Sequence, residues 1–543
     1  MNTQEVNFFL EKGFLVSPDF SCEGTPDAFL ERFTPKITTP LKPLILHKDL
    51  LIFLDANIPH PDVNWIEFEK SRAYFEFGKD RKLYDTFLQI FQYNLSAQKK
   101  EAADSLLQEV QQPGPLLLEK EEDTGSVIVL QNYQGKSKKR EVQDFVKHYN
   151  LRFEALKKLL LKRQELQNAL SLHRVLAKSE GGGVSFIGMV SSRDYTQKGN
   201  LLFTLEDVTG EVKVVVNKNR KELFDLARDV MVDEVIGICG SAKEKIVFCN
   251  EILFPDVPLD KELKKADEEV YAAFTADLHV GSYLFFKEDL LKFIDWINGN
   301  SGNEAQRAIA QKVKYLFLVG DLVDGVGIYP RQEDELTLKD VYAQYALCAS
   351  LIQKIRKDVH IIICGGNHDA VRLAEPQPCL DKEFAQPFWE MPNVTLVTNP
   401  SLVSIHAKRD FDGLKVLLYH GYSFQYYADN VESIRASGGN YRADLIMRYL
   451  LQRRHLAPSH SSTLFVPDTD KDSRVIDDVP DFFVTGHIHR TAALNYRNVT
   501  LIGCSCWVGR TSFMEKVGIH PDPSRITLVN LQTREMKILK FGE

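Results

Sequence analysis

The stretch Tyr315-Leu316-Phe317-Leu318-Val319-Gly320-Asp321-Leu322-Val323-Asp324 decides how this chain is read, because an apolar run ends abruptly in residues able to bind metal. The same form recurs along the second half. Phe274-Thr275-Ala276 runs into Asp277-Leu278-His279, and Ile361-Ile362-Ile363 runs into Gly366-Asn367-His368-Asp369. Val416-Leu417-Leu418-Tyr419 meets His420-Gly421, and Phe482-Phe483-Val484-Thr485 meets Gly486-His487-Ile488-His489. Five such strand ends place oxygen and imidazole ligands in one cleft, on rigid elements, while loops supply substrate contacts. Two divalent cations fit such a cleft. One motif alone reads equally well as a turn with a capping aspartate, or as a packed histidine; five in this order point to one site.

At 543 residues the chain exceeds what one hydrophobic core serves, so several domains are expected. Hydrophobic residues form 44% and charged residues 26%, the composition of globular protein rather than of a disordered or membrane chain. No apolar stretch reaches membrane-spanning length, and Met1 to Phe9 lacks the basic start of a signal peptide, which reads as cytoplasmic with no membrane partner. The eight cysteines form no C-x-x-C pair, so neither a zinc knuckle nor a disulfide scaffold is signalled. Cys504 and Cys506 would share one face of a strand, as core packing. A net charge of -8 excludes gripping DNA by bulk electrostatics alone, so DNA contacts must be local or shared with a partner.

The fold class expected is multidomain α+β. Residues 1–75 read as a small helical domain, with Phe8 to Leu10 in a short helix closed at Gly13 and a second helix opening at Thr25-Pro26-Asp27. Residues 76–141 read as a linker, since from Ser96 to about Gly135 the sequence is rich in Gln, Lys and Glu, has few aromatics and is interrupted by Pro113-Gly114-Pro115. Residues 142–180 read as one amphipathic helix, with Phe145, Tyr149, Phe153, Leu156 and Leu160 on one face and Lys147, Arg152, Lys157 and Lys158 on a solvated one. Residues 181–257 show three strands, a helix and two strands, the layout of an OB-fold barrel. Without an outward set of stacking aromatics, that barrel reads as a docking surface. Residues 265–543 carry the metal-binding motifs.

These motifs resemble the calcineurin-like metallophosphoesterase superfamily, whose signature is D-x-H, G-D-x-x-D, G-N-H-D, a lone histidine and G-H-x-H. The resemblance implies a β-sandwich flanked by helices over 265–543. It implies one metal held by Asp277, His279 and His489, a second held by Asn367, His420 and His487, and Asp321 bridging both. His368 would be the acid or phosphate-contacting histidine, oriented by Asp369, and Asp324 would orient a ligand histidine. Arg372 would either reach a substrate phosphate or pair with a structural carboxylate. The chemistry suits these residues: two cations about 3.5–4 Å apart lower the pKa of a bound water and clamp an in-line displacement. An imidazole with a pKa of about 6.5 can then protonate the leaving oxygen. Mixed nitrogen and oxygen donors favour manganese first, with iron, magnesium and zinc as the other candidates.

Flanking sequence narrows the substrate. Gly320 to Pro330, Asn367 to Arg372 followed by Ala374-Glu375-Pro376-Gln377-Pro378, and Arg453-Arg454-His455-Leu456-Ala457-Pro458 are similar to the small subunit of archaeal family D DNA polymerase. That resemblance implies a 3′-to-5′ proofreading exonuclease acting on DNA 3′ ends and bound to a large polymerase subunit. It departs from the family at Cys504-Ser505-Cys506-Trp507-Val508, where a more polar segment is expected. The rival readings are a nucleotide or protein phosphatase, which has little use for the OB-like region, and a scaffold without catalysis, which has little use for a full ligand set.

Overall fold

The computed structural model describes residues 8–9, 14–16, 25–33, 44–46, 126–135, 138–178, 182–516 and 518–542. The chain divides into two compact units, residues 1–120 and 121–543. In the first, a helix spans Pro26–Phe33 with Asp27 in its first turn, and the Phe29 ring packs edge-on against Phe9 at 5.8 Å. This unit is not wholly helical. Strand β1 (Phe14–Val16) pairs in parallel with β2 (Leu44–Leu46), because the apolar Phe14-Leu15-Val16, just past the expected helix stop at Gly13, forms a ladder with an equally apolar run. The rest of the expected helical domain, and residues 76–125 of the expected linker, lie outside the described residues.

The second unit starts inside that expected linker. Ser126–Gln131 forms β3, since Val127-Ile128-Val129-Leu130 is a β-prone run set in polar sequence. The helix expected over 142–180 is three pieces: a helix over Val142–Leu160, a 3-10 turn at Gln164–Leu166 and a short helix over Leu172–Ala177. The break lets Leu166 plug against the barrel that follows, where a Cβ on Gly237 would lie 2.3 Å from Leu166 Cδ1. That barrel is closed by β4 (Gly183–Tyr195), β5 (Leu201–Asp207), β6 (Gly210–Val216), β7 (Val235–Lys243) and β8 (Ile246–Leu253). A helix over Lys221–Arg228 separates β6 from β7. Alternate residues fill the interior, among them Phe186, Phe203, Val214, Ile238 and Val247.

Residues 271–540, joined by β3 as one edge strand, form two six-stranded sheets. The first runs β12 (Val394–Val397), β11 (His360–Cys364), β10 (Val313–Val319), β9 (Tyr271–Thr275), β18 (Arg525–Asn530), β19 (Met536–Lys540), with β9 to β12 parallel. The second runs β16 (Ala492–Tyr496), β17 (Val499–Gly503), β15 (Phe482–Thr485), β14 (Leu414–Leu418), β13 (Ser401–Ala407), β3. Phe274, Phe317, Ile362, Val416, Phe482 and Val484 pack between the sheets. Helices Lys287–Ile297 and Val341–Ile352 cover the first sheet's outer face, and Phe424–Asn430 and Ala443–Arg453 cover the second's. Burial on both faces explains why β9, β10, β11, β14 and β15 are continuous apolar runs without alternation.

The segment Arg453-Arg454-His455 turns out to be structural. Arg453 is buried against Glu234 of the barrel at 3.2 Å. Arg454 Nε donates to the Ile476 carbonyl at 2.7 Å, and His455 Nε2 meets Asp472 at 2.9 Å. Asp472 is the hub of a buried cluster that also takes Arg152 Nε at 2.8 Å and Arg474 Nε at 3.3 Å. Arg152 therefore does not lie on a solvated face; it ties the long helix to the sandwich. No helix among the described residues is long and apolar enough to cross a membrane.

Candidate metal centre

The motifs expected to bind metal all follow the carboxyl ends of β9, β10, β11, β14 and β15, on the same edge of the sandwich. Close approach there depends on glycine. A Cβ on Gly320 would lie 2.3 Å from His420 Nδ1, one on Gly366 would lie 2.3 Å from Asp321 Oδ1, and one on Gly486 would lie 2.7 Å from Asp277 Oδ2. Asp277, His279, Asp321, His487 and His489 all hold left-handed backbone, with φ between 51° and 68°. Such a conformation costs a non-glycine residue about 1–2 kcal/mol, and it is retained here because it turns each side chain back into the cleft.

Hydrogen bonds set the direction of each donor atom. His487 N–H donates to both oxygens of Asp277 at 3.1 and 3.0 Å, and His368 N–H donates to Asp321 Oδ1 at 2.7 Å. His420 Nδ1 donates to the Val319 carbonyl at 2.8 Å, which leaves Nε2 free to act as a metal ligand. His279 Nδ1 is held by Asp324 Oδ1 at 3.0 Å, and Gln332 Nε2 secures the other Asp324 oxygen at 2.7 Å. Asp324 thus fixes the His279 ring.

The remaining nitrogen and oxygen atoms form two groups. In one, His279 Nε2 is 3.1 Å from His489 Nε2, and His489 Nε2 is 3.3 Å from Asp277 Oδ1. In the other, His420 Nε2 is 3.1 Å from Asn367 Oδ1 and 3.2 Å from Asp321 Oδ2, with His487 beside them. Asp321 Oδ2 also lies 3.8 Å from His279 Nε2, so this carboxylate faces both groups. Ligands bound at about 2.1 Å lie about 3.0 Å apart at right angles and about 3.6 Å apart at 120°. The observed separations fit the edges of two coordination shells sharing Asp321. Another acid and histidine group, Asp267, Glu268 and His406, already carries the Lys408 ammonium on both carboxylates.

The electrostatics agree with a cation site. Burial is the largest single influence on these groups and opposes charge. In Asp321 it is outweighed by His420, His368 and His279, which hold the carboxyl well below its usual range. In His420 burial is outweighed by Asp321 and Asp277, which raise it to about 9. Burial and neighbouring His420 bring His487 down to about 3, so it stays neutral and able to ligate.

Four expectations change. Asp369 does not orient His368: its carboxylate accepts from Gly366 N–H at 2.9 Å, Leu322 N–H at 3.2 Å and the Tyr345 hydroxyl at 3.0 Å. It clamps the β10 and β11 loops together, and burial, then nearby Asp321, raises it to about 6. His368 Nδ1 instead donates to the Asp324 backbone carbonyl at 2.8 Å. Arg372 is engaged with backbone rather than free for phosphate, its Nε and Nη2 donating to the Pro376 carbonyl at 3.1 and 2.5 Å and its guanidinium lying 5.0 Å from the Tyr133 ring. Cys504 and Cys506 follow the end of β17 rather than sharing its face; both are buried, in different clusters. The Cys504 to Val508 segment forms no surface, since Trp507 is fully buried and its Nε1 donates to Thr275 Oγ1 at 2.8 Å.

Several supports carry no sequence motif. Tyr345 and Asn399, whose Oδ1 accepts from His420 N–H at 2.9 Å, lie more than twenty residues from the residues they hold, and Gln332 lies eight residues beyond Asp324 in the following loop. Tyr422, edge-on to His487 at 5.5 Å, is two residues beyond His420 and was within reach of a spacing argument.

The sequence is similar to those of known proteins. Residues 272–493 match the B-subunit family of DNA polymerases alpha and epsilon, and residues 184–250 match the OB-fold nucleic acid binding domain. The DNA polymerase II small subunit of Methanothermobacter thermautotrophicus is 38% identical over 436 residues, covering 80% of this chain and 86% of that protein. That of Archaeoglobus fulgidus is 35% identical, covering 76% and 81%, and that of Pyrococcus furiosus is 34% identical, covering 76% and 66%. With ligand motifs, barrel and sandwich on one chain of this likeness, the protein belongs to the family of archaeal DNA polymerase II small subunits.

Proposed function

We propose that this chain is the proofreading 3′-to-5′ exonuclease of its polymerase, hydrolysing phosphodiesters at DNA 3′ ends while held by the large catalytic subunit. The observation that carries this reading is the pair of buried donor groups meeting at Asp321. Asp277, His279 and His489 would hold one divalent cation and Asn367, His420 and His487 the other, with manganese the first choice for nitrogen and oxygen donors. When bound, the two cations supply Lewis acidity that lowers the pKa of water and offsets charge developing on the phosphate.

The protein's own part centres on His368. The Asp324 carbonyl can only accept, so it fixes the proton on His368 Nδ1 and leaves Nε2 for the substrate. As water oxygen bonds to phosphorus and gives up a proton to solvent, the bond to the 3′ oxygen of the penultimate nucleotide breaks. That oxygen takes a proton from protonated Nε2, leaving a 3′-hydroxyl end and a 5′-mononucleotide. The carboxylate of Asp369 acts at one remove, keeping the β10 and β11 loops in register through Leu322 and Gly366.

The test is release of mononucleotides from a 3′-labelled single strand by the purified chain with manganese, beside His368→Ala and Asp321→Ala. Release that is lost in both variants supports the reading. No release by the parent chain, even with its large subunit, overturns it.

A further inference from the structure

Next to the histidine pair that follows β15 lies a second cleft, about 130 Å³ in volume, lined by Asn440, Tyr441, Ile488, Arg490, Ile519 and His520. Ile488 sits between His487 and His489, and Arg490 follows directly, so one wall of this cleft is the ligand loop itself. The opposite wall is pinned to the same loop, because Asp522 N–H donates to the His489 carbonyl at 2.9 Å.

The lining has the chemistry of a nucleotide platform. The Tyr441 and His520 rings are stacked at 6.5 Å and 24° from parallel, and Tyr441 is 43% exposed, so a flat ring system can lie along them. The Arg490 guanidinium stands 4.9 Å from the Tyr441 ring, a cation beside a stacking face. Asn440 Nδ2 donates to Gln425 Oε1, while its Oδ1 is buried without a hydrogen-bond partner. The backbone is prepared for this display: Gly438 and Gly439 at φ 121° and 57° bring Tyr441 to the rim.

We propose that this cleft binds the terminal nucleotide of a single DNA strand, its base stacked on Tyr441 and His520 and its phosphodiester beside Arg490. The inference rests on the exonuclease reading and adds to it a preference for unpaired ends, since a base inside a duplex cannot reach these rings. Tyr441 Oη also donates to the Gly518 carbonyl at 2.9 Å, and Arg490 Nη1 to the His520 carbonyl at 3.1 Å, so a purely structural clamp is the competing explanation.

The experiment compares the full chain with Tyr441→Ala, Tyr441→Phe and Arg490→Ala on two substrates, a short oligothymidylate and bis(p-nitrophenyl) phosphate, which has no base. Binding of a 5′-fluorescein oligothymidylate in EDTA is measured by anisotropy alongside. The expected result is a KM for the oligonucleotide raised about tenfold to a hundredfold in Tyr441→Ala, the range for one stacked base. The loss on the baseless substrate should be at least about tenfold smaller, and Tyr441→Phe, which keeps the ring and drops the hydroxyl, should restore oligonucleotide KM. Equal losses on both substrates, or a Tyr441→Phe variant as weak as Tyr441→Ala, would overturn the subsite in favour of a clamp. Unchanged oligonucleotide KM in Tyr441→Ala would overturn it while leaving the exonuclease intact. If the parent hydrolyses neither substrate the exonuclease reading fails, and anisotropy alone then decides: binding weakened in Tyr441→Ala and kept in Tyr441→Phe supports the subsite, and equal binding by all three rejects it.

Discussion

Replacing Asp324 by alanine should weaken one metal site and spare the other. The carboxylate holds His279 Nδ1 at 3.0 Å in a buried, charge-assisted hydrogen bond, whereas His420 is braced by the Val319 carbonyl. Losing such a brace lowers metal affinity about 10- to 100-fold, or about 1.4–2.8 kcal/mol at 1.4 kcal/mol per decade. His368 should be unaffected in position, because it hangs from the Asp324 backbone carbonyl, which alanine retains. Free manganese followed by electron paramagnetic resonance during titration resolves two classes of site. The parent should fill both, whereas in Asp324→Ala one class should weaken by about 30-fold and the other stay within about twofold. Equal weakening of both classes, or none, would refute the division of ligands into a His279 group and a His420 group.

Gly366→Ala should leave the fold intact and abolish metal-dependent activity, because its Cβ would lie 2.3 Å from Asp321 Oδ1; normal activity at normal stability would contradict this, read by thermal melting and nucleotide release. Asp472→Asn should destabilise by about 3–5 kcal/mol in urea unfolding, as Arg152 and Arg474 would keep buried charges without a counterion. A loss under about 1 kcal/mol would show that the cluster contributes little. Burial raises Glu375 from 4.5 to about 7, so this group favours the folded state below pH 4.5 and that contribution fades as the pH rises through 7. Over that window the parent should lose about 3 kcal/mol relative to Glu375→Gln, which cannot ionise; a parent that gains on the variant between pH 5 and 8 would reverse the sign and sink the assignment.

The ligands were legible because each follows a doubly buried strand, where an apolar run stops at a residue that cannot remain in the core. Their backbone strain was not, since nothing local announces that Asp277 or His489 adopts positive φ. Asp369 and Arg372 were misjudged for one reason: spacing placed them beside His368, but their partners, Tyr345 and the Pro376 carbonyl, are chosen by tertiary packing. The same holds for Arg152, whose helical position looks solvated until Asp472, 320 residues later, reaches it. Strand β3 was hidden by its surroundings, four apolar residues within a polar stretch that has every mark of a linker.

Strand β3 also sets an order of events during synthesis. Its edge pairing with β13 is closed by Ser401 Oγ on the Gln131 carbonyl, a contact between residues 270 apart in sequence. At about 5–20 residues per second, a ribosome needs roughly 15–50 s to deliver the partner after β3 has been made. The barrel, whose five strands are neighbours in sequence, can close during that wait, so the sandwich is completed around a domain that has already folded. A fragment begun at residue 142 to isolate barrel and sandwich would lack this edge and expose the β13 ladder, a template for pairing between chains.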